Sequence, residues 1–307
     1  MKGLFVLCTM LSGSFAYTQN MSSFSMYEDV KITIDTSGFQ QKNPTIIIFY
    51  ALPNGNTTAQ TIGKKLQEGD DWHYDIQHVK AQTDFIREKI NRKNIAVIYL
   101  ENQYKSWPLW KQNHSDYKQK ITHLIDTVFN LFQVKNKTIY LNGHSGGGSF
   151  IFGYIEAMEK IPSSISRISF IDSNYGYDSS HYAKLKNWLL QNKEAYLTVF
   201  AYNDSVALYN GKPIVSAKGG TWYRSHLMLQ HLQNDFSFKE LRNDSLMLFE
   251  SRNKKIVFVF KPNPDRKIYH TQQVELNGFI HSVLYGTKQE NEGYEYFGQR
   301  AYTKFIR

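Results

Sequence analysis

One stretch, residues 138–160, constrains the fold of this chain more than any other. It opens with Thr138–Asn142, a short β-branched and aromatic run that is typical of a buried strand. It closes with apolar residues at helical spacing from Phe150 to Met158. Between them lies Gly-x-Ser-x-Gly, at residues 143–147. The sequence therefore predicts a strand that turns directly into a helix through a serine flanked by glycines.

A turn of this kind has a specific chemical use. It holds Ser145 in a strained backbone conformation, and Gly143 and Gly147 omit side chains that would collide across the bend. The Ser145 hydroxyl then projects above the sheet edge, where a base can reach it, while the amide of Gly146 can point at a developing oxyanion. Two other interpretations are a structural turn around a buried serine and a phosphate-binding loop. The second lacks the Lys-Ser/Thr ending that such loops need.

A second informative turn follows the apolar strand predicted over residues 45–50. Residues 53–56, Pro-Asn-Gly-Asn, place backbone amides at the carboxyl end of the sheet, where open α/β sheets bind ligands. We expect Asn54 or Gly55 to complete an oxyanion hole with the amide of Gly146. The alternative is an ordinary turn, since Asn-Gly is a common turn dipeptide.

Strands and helices alternate through most of the chain. Apolar, β-branched or aromatic runs at 94–100, 167–172, 195–202 and 255–260 predict further strands, and amphipathic stretches between them predict helices. Such alternation indicates an α/β protein with a mainly parallel central sheet and helices on both faces.

With its Gly-x-Ser-x-Gly turn at 143–147 and its Pro-Asn-Gly turn at 53–55, the chain resembles the α/β-hydrolase superfamily. The resemblance extends over roughly residues 29–290 by strand order. It implies an α/β-hydrolase-like sheet with a small cap or insertion, for which residues 205–250 give room. It also implies a catalytic triad in the chain order nucleophile, acid, histidine.

The resemblance places the nucleophile at Ser145 and leaves a choice for the other two members. For the acid, Asp204 follows the second strand after the serine, the position that this superfamily uses most, whereas Asp172 follows the first. For the base, His281 lies in a glycine-containing segment ahead of an apolar run, whereas His270 lies nearer the last strand. Ser145, Asp204 and His281 are the favoured set, with Asp172 and His270 as alternative members.

The segment after the strand at 94–100 is dense in aromatic side chains. If Trp107 and Trp110 are exposed at the active edge of the sheet, they could bind substrate by stacking on sugar rings or holding an acyl group. The alternative is that both indoles pack against a neighbouring loop.

Residues 1–16 combine Lys2, an apolar run and a small-x-small ending at Ala16, which predicts a secretory signal peptide. The remaining residues, 17–307, are expected to form a single α/β-hydrolase domain that is exported to the periplasm or secreted. The one cysteine, Cys8, lies inside the signal, so the mature chain would use no disulfide, thiol nucleophile or cysteine-ligated metal. No other stretch has the length of a membrane span.

The formal net charge is +9, yet lysine and arginine are scattered along the chain rather than gathered in a stripe, which argues against a nucleic-acid partner. His73 and His78 lack a third ligand at suitable spacing, so no metal is expected, and no organic cofactor is implied. The oligomeric state is not indicated.

These features together predict an exported serine hydrolase that cleaves carboxylic esters through an acyl-enzyme. A small-molecule or polysaccharide ester is the expected substrate, with acetyl, feruloyl or methyl groups as candidates, because a basic surface attracts acidic glycans. A serine exopeptidase is a second interpretation. A non-catalytic glycan-binding protein on a hydrolase scaffold is a third.

Overall fold

The computed structural model describes residues 21–307, which form a ten-stranded sheet, a two-stranded ribbon and nine α-helices. The strands are β1 (Met21–Met26), β2 (Val30–Asp35), β3 (Thr45–Ala51), β4 (Asn94–Asn102), β5 (Lys137–His144), β6 (Ile165–Ile171), β7 (Tyr196–Tyr202), β8 (Leu208–Tyr209), β9 (Lys212–Pro213), β10 (Phe238–Arg242), β11 (Met247–Ser251) and β12 (Ile256–Lys261). The helices are α1 (Thr58–Ile62), α2 (Val79–Lys89), α3 (Trp107–Asn113), α4 (Tyr117–Leu131), α5 (Gly148–Ala157), α6 (Ser179–Gln191), α7 (Thr221–Leu232), α8 (Gln272–Glu275) and α9 (Gly278–Leu284).

The large sheet has the strand order β1-β2-β4-β3-β5-β6-β7-β12-β11-β10. Its six central strands, from β4 to β12, pair in parallel. The two strands at each end pair antiparallel. The predicted mainly parallel sheet is confirmed.

Helices cover both faces of this sheet, as β3 illustrates. Ile47 and Phe49 point into a core that they share with α3, α4, α5, α6 and α7. Ile46, Ile48 and Tyr50 point into a second core with α2, α8, α9 and the C-terminal segment. A strand buried on both faces needs a continuous apolar run rather than an alternating one, which is why β3 is apolar along almost its whole length.

The register of the parallel strands aligns their carboxyl ends. Ala51 of β3 lies opposite Gly143 of β5, and His144 of β5 lies opposite Ile171 of β6. The segments that follow these strands therefore begin side by side at one edge of the sheet, although they are far apart in the sequence.

Residues 205–250, which the sequence suggested as room for a cap or insertion, contribute three features. The β8–β9 ribbon comes first, and α7 then packs on the sheet. Finally, β10 and β11 extend the sheet beyond β12. Most of this segment is therefore built into the main fold.

The predicted signal peptide, residues 1–16 with Cys8, lies outside the described residues. Among residues 21–307, no helix combines the length and the apolar character that crossing a lipid bilayer requires.

A buried cation ties β6 to the end of α9. Arg167 is 1% exposed and donates hydrogen bonds to the backbone carbonyls of Ser282 (3.3 Å) and Tyr285 (2.8 Å). Its guanidinium lies over the rings of Tyr140 and Tyr196, at 5.2 and 4.6 Å from their centroids. The last carbonyls of a helix lack partners within the helix and carry partial negative charge, so this arginine stabilises the end of α9.

Replacing Arg167 with methionine keeps a long flexible side chain but removes the cation. The buried carbonyl of Tyr285 loses its side-chain donor, and that of Ser282 keeps only the hydroxyl of Ser169. We expect Arg167→Met to lower the free energy of unfolding by about 2 kcal/mol, the scale of hydrogen bonds to a charged group. Urea denaturation measures this change. Arg252→Met, at an exposed position, is the matched control and is expected to stay within about 0.5 kcal/mol of the wild type. Equal stability of the two variants would contradict the stabilising role of Arg167.

Candidate active site

The serine turn, residues 143–148, joins β5 to α5. Ser145 opens a 3-10 turn here, and its backbone φ is +55°, a left-handed conformation that costs a non-glycine residue about 1–2 kcal/mol. A Cβ atom on Gly143 would lie 3.0 Å from the carbonyl carbon of Gly147, tighter than ordinary packing allows. The structure thus contains the strained strand-to-helix turn that the sequence predicted, with Ser145 partly exposed at the start of the helical segment.

The turn after β3 packs directly against the serine turn. A Cβ atom on Gly146 would lie only 1.9 Å from Oδ1 of Asn54, so these two residues are in contact, as expected for two sides of an oxyanion hole. The amide of Gly55, in contrast, donates a 2.8 Å hydrogen bond to the carbonyl of Lys105. That bond conflicts with the expectation that Gly55 is a donor to an oxyanion, and it leaves Asn54 as the candidate.

The N-terminus of α1 anchors this turn. The side chains of Thr57 and Gln60 form a capping box, in which each accepts a hydrogen bond from the backbone amide of the other. Glu101, near the end of β4, accepts hydrogen bonds from the amide and hydroxyl of Thr58 at 2.7 and 2.6 Å. The segment that follows Asn54 is therefore tied by hydrogen bonds to the end of β4.

Asp172 and His270 form a hydrogen-bonded pair at the same edge of the sheet. Oδ2 of Asp172 lies 2.5 Å from Nδ1 of His270, across 98 residues of sequence. The Asp172 side chain is fully buried, whereas that of His270 is 23% exposed. Asp172 also has a positive φ, +42°, directly after β6. Strained residues of this kind cluster at functional sites.

His144 brings His270 to the serine turn. Nε2 of His144 lies 3.1 Å from the backbone carbonyl of His270, and the two rings are 4.6 Å apart. Burial, and secondarily the nearby His270, hold the pKa of His144 well below its ordinary value of 6.5, so this ring is neutral at pH 7 and donates from Nε2. His270 is therefore held against His144, the residue that directly precedes Ser145.

Asp204 has different partners. Its carboxylate accepts hydrogen bonds from the backbone amides of Thr221 (2.7 Å) and Trp222 (3.3 Å), the first residues of α7. An anion is stabilised there because the first amides of a helix lack partners and carry partial positive charge. Burial, and then the charge of Asp172, raise the pKa of Asp204 to about 6. The favoured acid from the sequence is thus directed at a helix terminus and not at a histidine.

His281, the favoured base from the sequence, lies in the core. It is 5% exposed on α9, with Nδ1 at 3.1 Å from the hydroxyl of Tyr294 and its ring stacked on Tyr296. Burial, and then the charge of Arg167, lower its pKa to about 3, so it stays neutral. The structure does not bring Asp204 and His281 together. Residues 278–284 form a packed helix rather than the exposed loop that a catalytic base would need.

Solved structures share this architecture. A thermostable esterase superposes on the chain with a TM-score of 0.50 at 12% sequence identity, over 86% of this chain and 60% of the esterase. The chain has the α/β-hydrolase fold. Two siderophore hydrolases from Aspergillus nidulans are also similar. EstA has a TM-score of 0.49, 10% identity and coverage of 88% of this chain and 97% of its own. EstB has a TM-score of 0.46, 11% identity and coverage of 87% and 94%. No family model matches the sequence, and no curated protein matches it.

The two tryptophans expected to bind substrate serve the core of this α/β-hydrolase fold instead. Trp107 and Trp110 are each 1% exposed and pack edge to face with their centroids 5.3 Å apart. The indole of Trp107 donates to the carbonyl of Leu100 (3.3 Å), and that of Trp110 donates to Asp29 (2.8 Å). Of the two sequence interpretations, the structure shows packing, because α3 turns both rings inwards.

Sequence reasoning missed Thr221 as a site residue. Its hydroxyl donates to Oδ1 of Asp172 in a short hydrogen bond and lies 3.2 Å from Oδ2 of Asp204. Gly219 and Gly220 predict a turn ahead of an amphipathic helix. Nothing in the sequence indicates which side chains contact the N-terminus of that helix. Within residues 21–307, no cluster of three or more histidine, cysteine or carboxylate side chains is arranged to hold a metal ion.

The raised pKa of Asp204 makes the stability of this α/β-hydrolase fold depend on pH. Because the pKa is about 6 in the folded state against an ordinary 3.8, the folded state binds the proton more tightly than the unfolded chain. This stabilising contribution is complete below about pH 4 and is lost as the pH rises through about 6. A shift of about two units corresponds to roughly 3 kcal/mol.

We therefore expect the stability of the wild type, relative to Asp204→Asn, to fall by about 2–3 kcal/mol between pH 4 and pH 7. Urea denaturation of both proteins across this range measures the difference. Asp126→Asn, which changes an exposed carboxylate, is the control and is expected to follow the wild type. Parallel pH curves for the wild type and Asp204→Asn would contradict the raised pKa.

Proposed function

We propose that this chain is a serine hydrolase that cleaves carboxylic esters through an acyl-enzyme. The observation that carries the proposal is the partly buried Asp172–His270 hydrogen bond, which lies at the same sheet edge as the strained Ser145. In this proposal Ser145 is the nucleophile, His270 is the general base and Asp172 orients the base. The likeness to an esterase supports only the fold, and the arrangement of these three residues supports the chemistry.

The proposed reaction has two halves, in which Ser145 is first acylated and then released. The ester carbonyl oxygen binds against the amide of Gly146 and Asn54, which stabilise negative charge as it develops. The Ser145 oxygen attacks the carbonyl carbon while Nε2 of His270 accepts its proton. Asp172 holds the Nδ1 proton and stabilises the imidazolium. The tetrahedral intermediate collapses, His270 returns the proton to the leaving oxygen, and the alcohol departs.

The second half-reaction regenerates the enzyme. A water molecule gives a proton to His270 as its oxygen attacks the acyl carbon on Ser145. Collapse of this intermediate breaks the bond to the Ser145 oxygen, which recovers its proton from His270. The carboxylic acid then leaves. A serine hydroxyl is a weak nucleophile near pH 7, which is why all three side-chain types are needed.

The proposed triad keeps the chain order nucleophile, acid, histidine, but it uses the alternative members from the sequence. Asp172 replaces Asp204 because it is the carboxylate that contacts an imidazole. His270 replaces His281 because it is partly exposed beside the serine turn, whereas His281 is enclosed in the core.

For the substrate, we propose an ester carried by a polysaccharide, with acetyl, feruloyl or methyl groups as candidates. Two features support this choice: the signal-like residues 1–16, which favour export to the periplasm or beyond, and the net charge of +9, which attracts acidic glycans. The burial of Trp107 and Trp110 removes stacking of these rings on sugars as a third argument.

The nucleophile is tested with Ser145→Ala. We expect this variant to lose hydrolysis of p-nitrophenyl acetate and of acetylated xylan, and to lose covalent labelling by a fluorophosphonate probe, because no other hydroxyl lies on the strained turn. Ser149→Ala, at the second residue of α5, is the matched control and is expected to keep both activities. Equal activity of Ser145→Ala and the wild type would exclude Ser145. An unlabelled wild type would favour the non-catalytic glycan-binding interpretation.

The acid and the base are tested by paired substitutions. We expect Asp172→Asn to lower kcat by about 10³–10⁴-fold, because the imidazole loses its orienting acceptor, and Asp204→Asn to lower it far less. We expect His270→Gln to be inactive, and His281→Gln to lose stability while its folded fraction stays active. Rate measurements at matched folded concentration, checked by circular dichroism, give the comparison. The reverse ranking within either pair would return the assignment to Asp204 or His281.

A further inference from the structure

Two buried carboxylates meet at one hydroxyl. Thr221 is fully buried, and its hydroxyl donates to Oδ1 of Asp172 while lying 3.2 Å from Oδ2 of Asp204. The other Asp172 oxygen, Oδ2, is held by Nδ1 of His270. Both oxygens of Asp172 are therefore engaged, one by the histidine and one by the threonine.

Asp204 in turn fixes the position of Thr221. It accepts the backbone amide of Thr221 at 2.7 Å and that of Trp222 at 3.3 Å, so it caps the first turn of α7. Gly220 makes this approach possible, since a Cβ atom there would lie 2.3 Å from Oδ1 of Asp204. With its amide and hydroxyl both bonded, Thr221 has a single arrangement in the site.

We propose that Thr221 is a positioning residue that locks the Asp172 carboxylate onto His270, and that Asp204 acts through Thr221 by anchoring the start of α7. This inference rests on the proposed function, in which Asp172 and His270 are triad members. Asp204, in the position that the sequence favoured for the acid, then supports the acid of the neighbouring strand.

The physical reason lies in the burial of Asp172. A carboxylate with no solvent contact must have both oxygens hydrogen-bonded, since an unpaired buried acceptor costs the full desolvation penalty of the group. The Thr221 hydroxyl satisfies Oδ1 and prevents rotation of the carboxylate about its Cβ–Cγ bond. Oδ2 then stays aimed at the imidazole. Small losses of such alignment have large effects on rate.

The charged surroundings of Asp204 agree with a supporting role. Asp172 faces it from the end of β6, and the amides of Thr221 and Trp222 face it from α7. The two carboxylates also raise the pKa of Tyr202, after burial as the main cause. No histidine is hydrogen-bonded to Asp204 in the described part of the chain. Its side-chain hydrogen bonds are with the first residues of α7.

The test compares Thr221→Val with Thr221→Ser. Valine keeps the shape and removes the hydroxyl, so we expect kcat for p-nitrophenyl acetate to fall about 10–100-fold with KM changed less than about threefold. Serine restores the hydroxyl and is expected to return kcat to within about threefold of the wild type. Thr83→Val is the matched control, because it removes a buried, hydrogen-bonded threonine hydroxyl on α2, away from the site, and is expected to keep full activity.

A spectroscopic measurement separates this inference from the proposed function. The proton between Nδ1 of His270 and Asp172 should give a low-field NMR resonance, assigned by its loss in His270→Gln. We expect Thr221→Val to shift or broaden that resonance and Thr221→Ser to keep it. This readout needs no turnover, so it decides the positioning role even if the wild type hydrolyses no ester and Ser145 takes no fluorophosphonate label.

Two results would overturn the inference: a Thr221→Val protein with unchanged resonance and wild-type kcat, or a Thr221→Ser protein as impaired as Thr221→Val. If Thr221→Val does not fold, Asp204→Asn tests the same link from its other end. We expect it to lower kcat about 3–10-fold and to displace the resonance, since one of the bonds that hold the start of α7 is lost. A wild-type resonance and kcat in Asp204→Asn would then count against the proposal.

Discussion

The candidate site depends above all on the in-register pairing of parallel strands. Because β3, β5 and β6 end together, the turn that carries Asn54, the turn that carries Ser145 and the residue Asp172 begin side by side. Asp172 and His270 are 98 residues apart in the sequence. The pairing of the strands between them brings the two residues to the same edge of the sheet. A shift of one residue in any of these pairings would turn every side chain of that strand to the other face and move its end away from the site.

The two aspartates at neighbouring strand ends show how burial assigns roles to identical side chains. Both are almost fully buried, and both must therefore find donors. Asp172 finds an imidazole and a hydroxyl, and Asp204 finds the first amides of α7. The hydrogen-bond partner decides the role of each aspartate, because only a carboxylate bonded to an imidazole can orient the imidazole and stabilise its protonated form. Thr221 joins the two.

Residue patterns predicted the central strands, their mostly parallel arrangement and the strained turn at Ser145. These features depend on local signals: continuous apolar runs for strands covered on both faces, and glycines where a bend excludes side chains. The contact between Asn54 and Gly146 was also expected, since both turns follow adjacent strands. Sequence could not separate Gly55 from Asn54 as the oxyanion donor, because the Gly55 amide donates instead to the carbonyl of Lys105, which lies on another loop.

What the sequence determined by itself is therefore the sheet, its covered faces and the position of one strained serine, all of which follow from side-chain size and periodicity within a short window. Only the tertiary structure decided which histidine and which aspartate stand together, and that Trp107 is enclosed in the core. The physical reason is that a hydrogen bond or a buried contact depends on both partners. The partners of Asp172, Asp204 and His281 belong to other helices and strands. The sequence predicts those elements but not the distances between them.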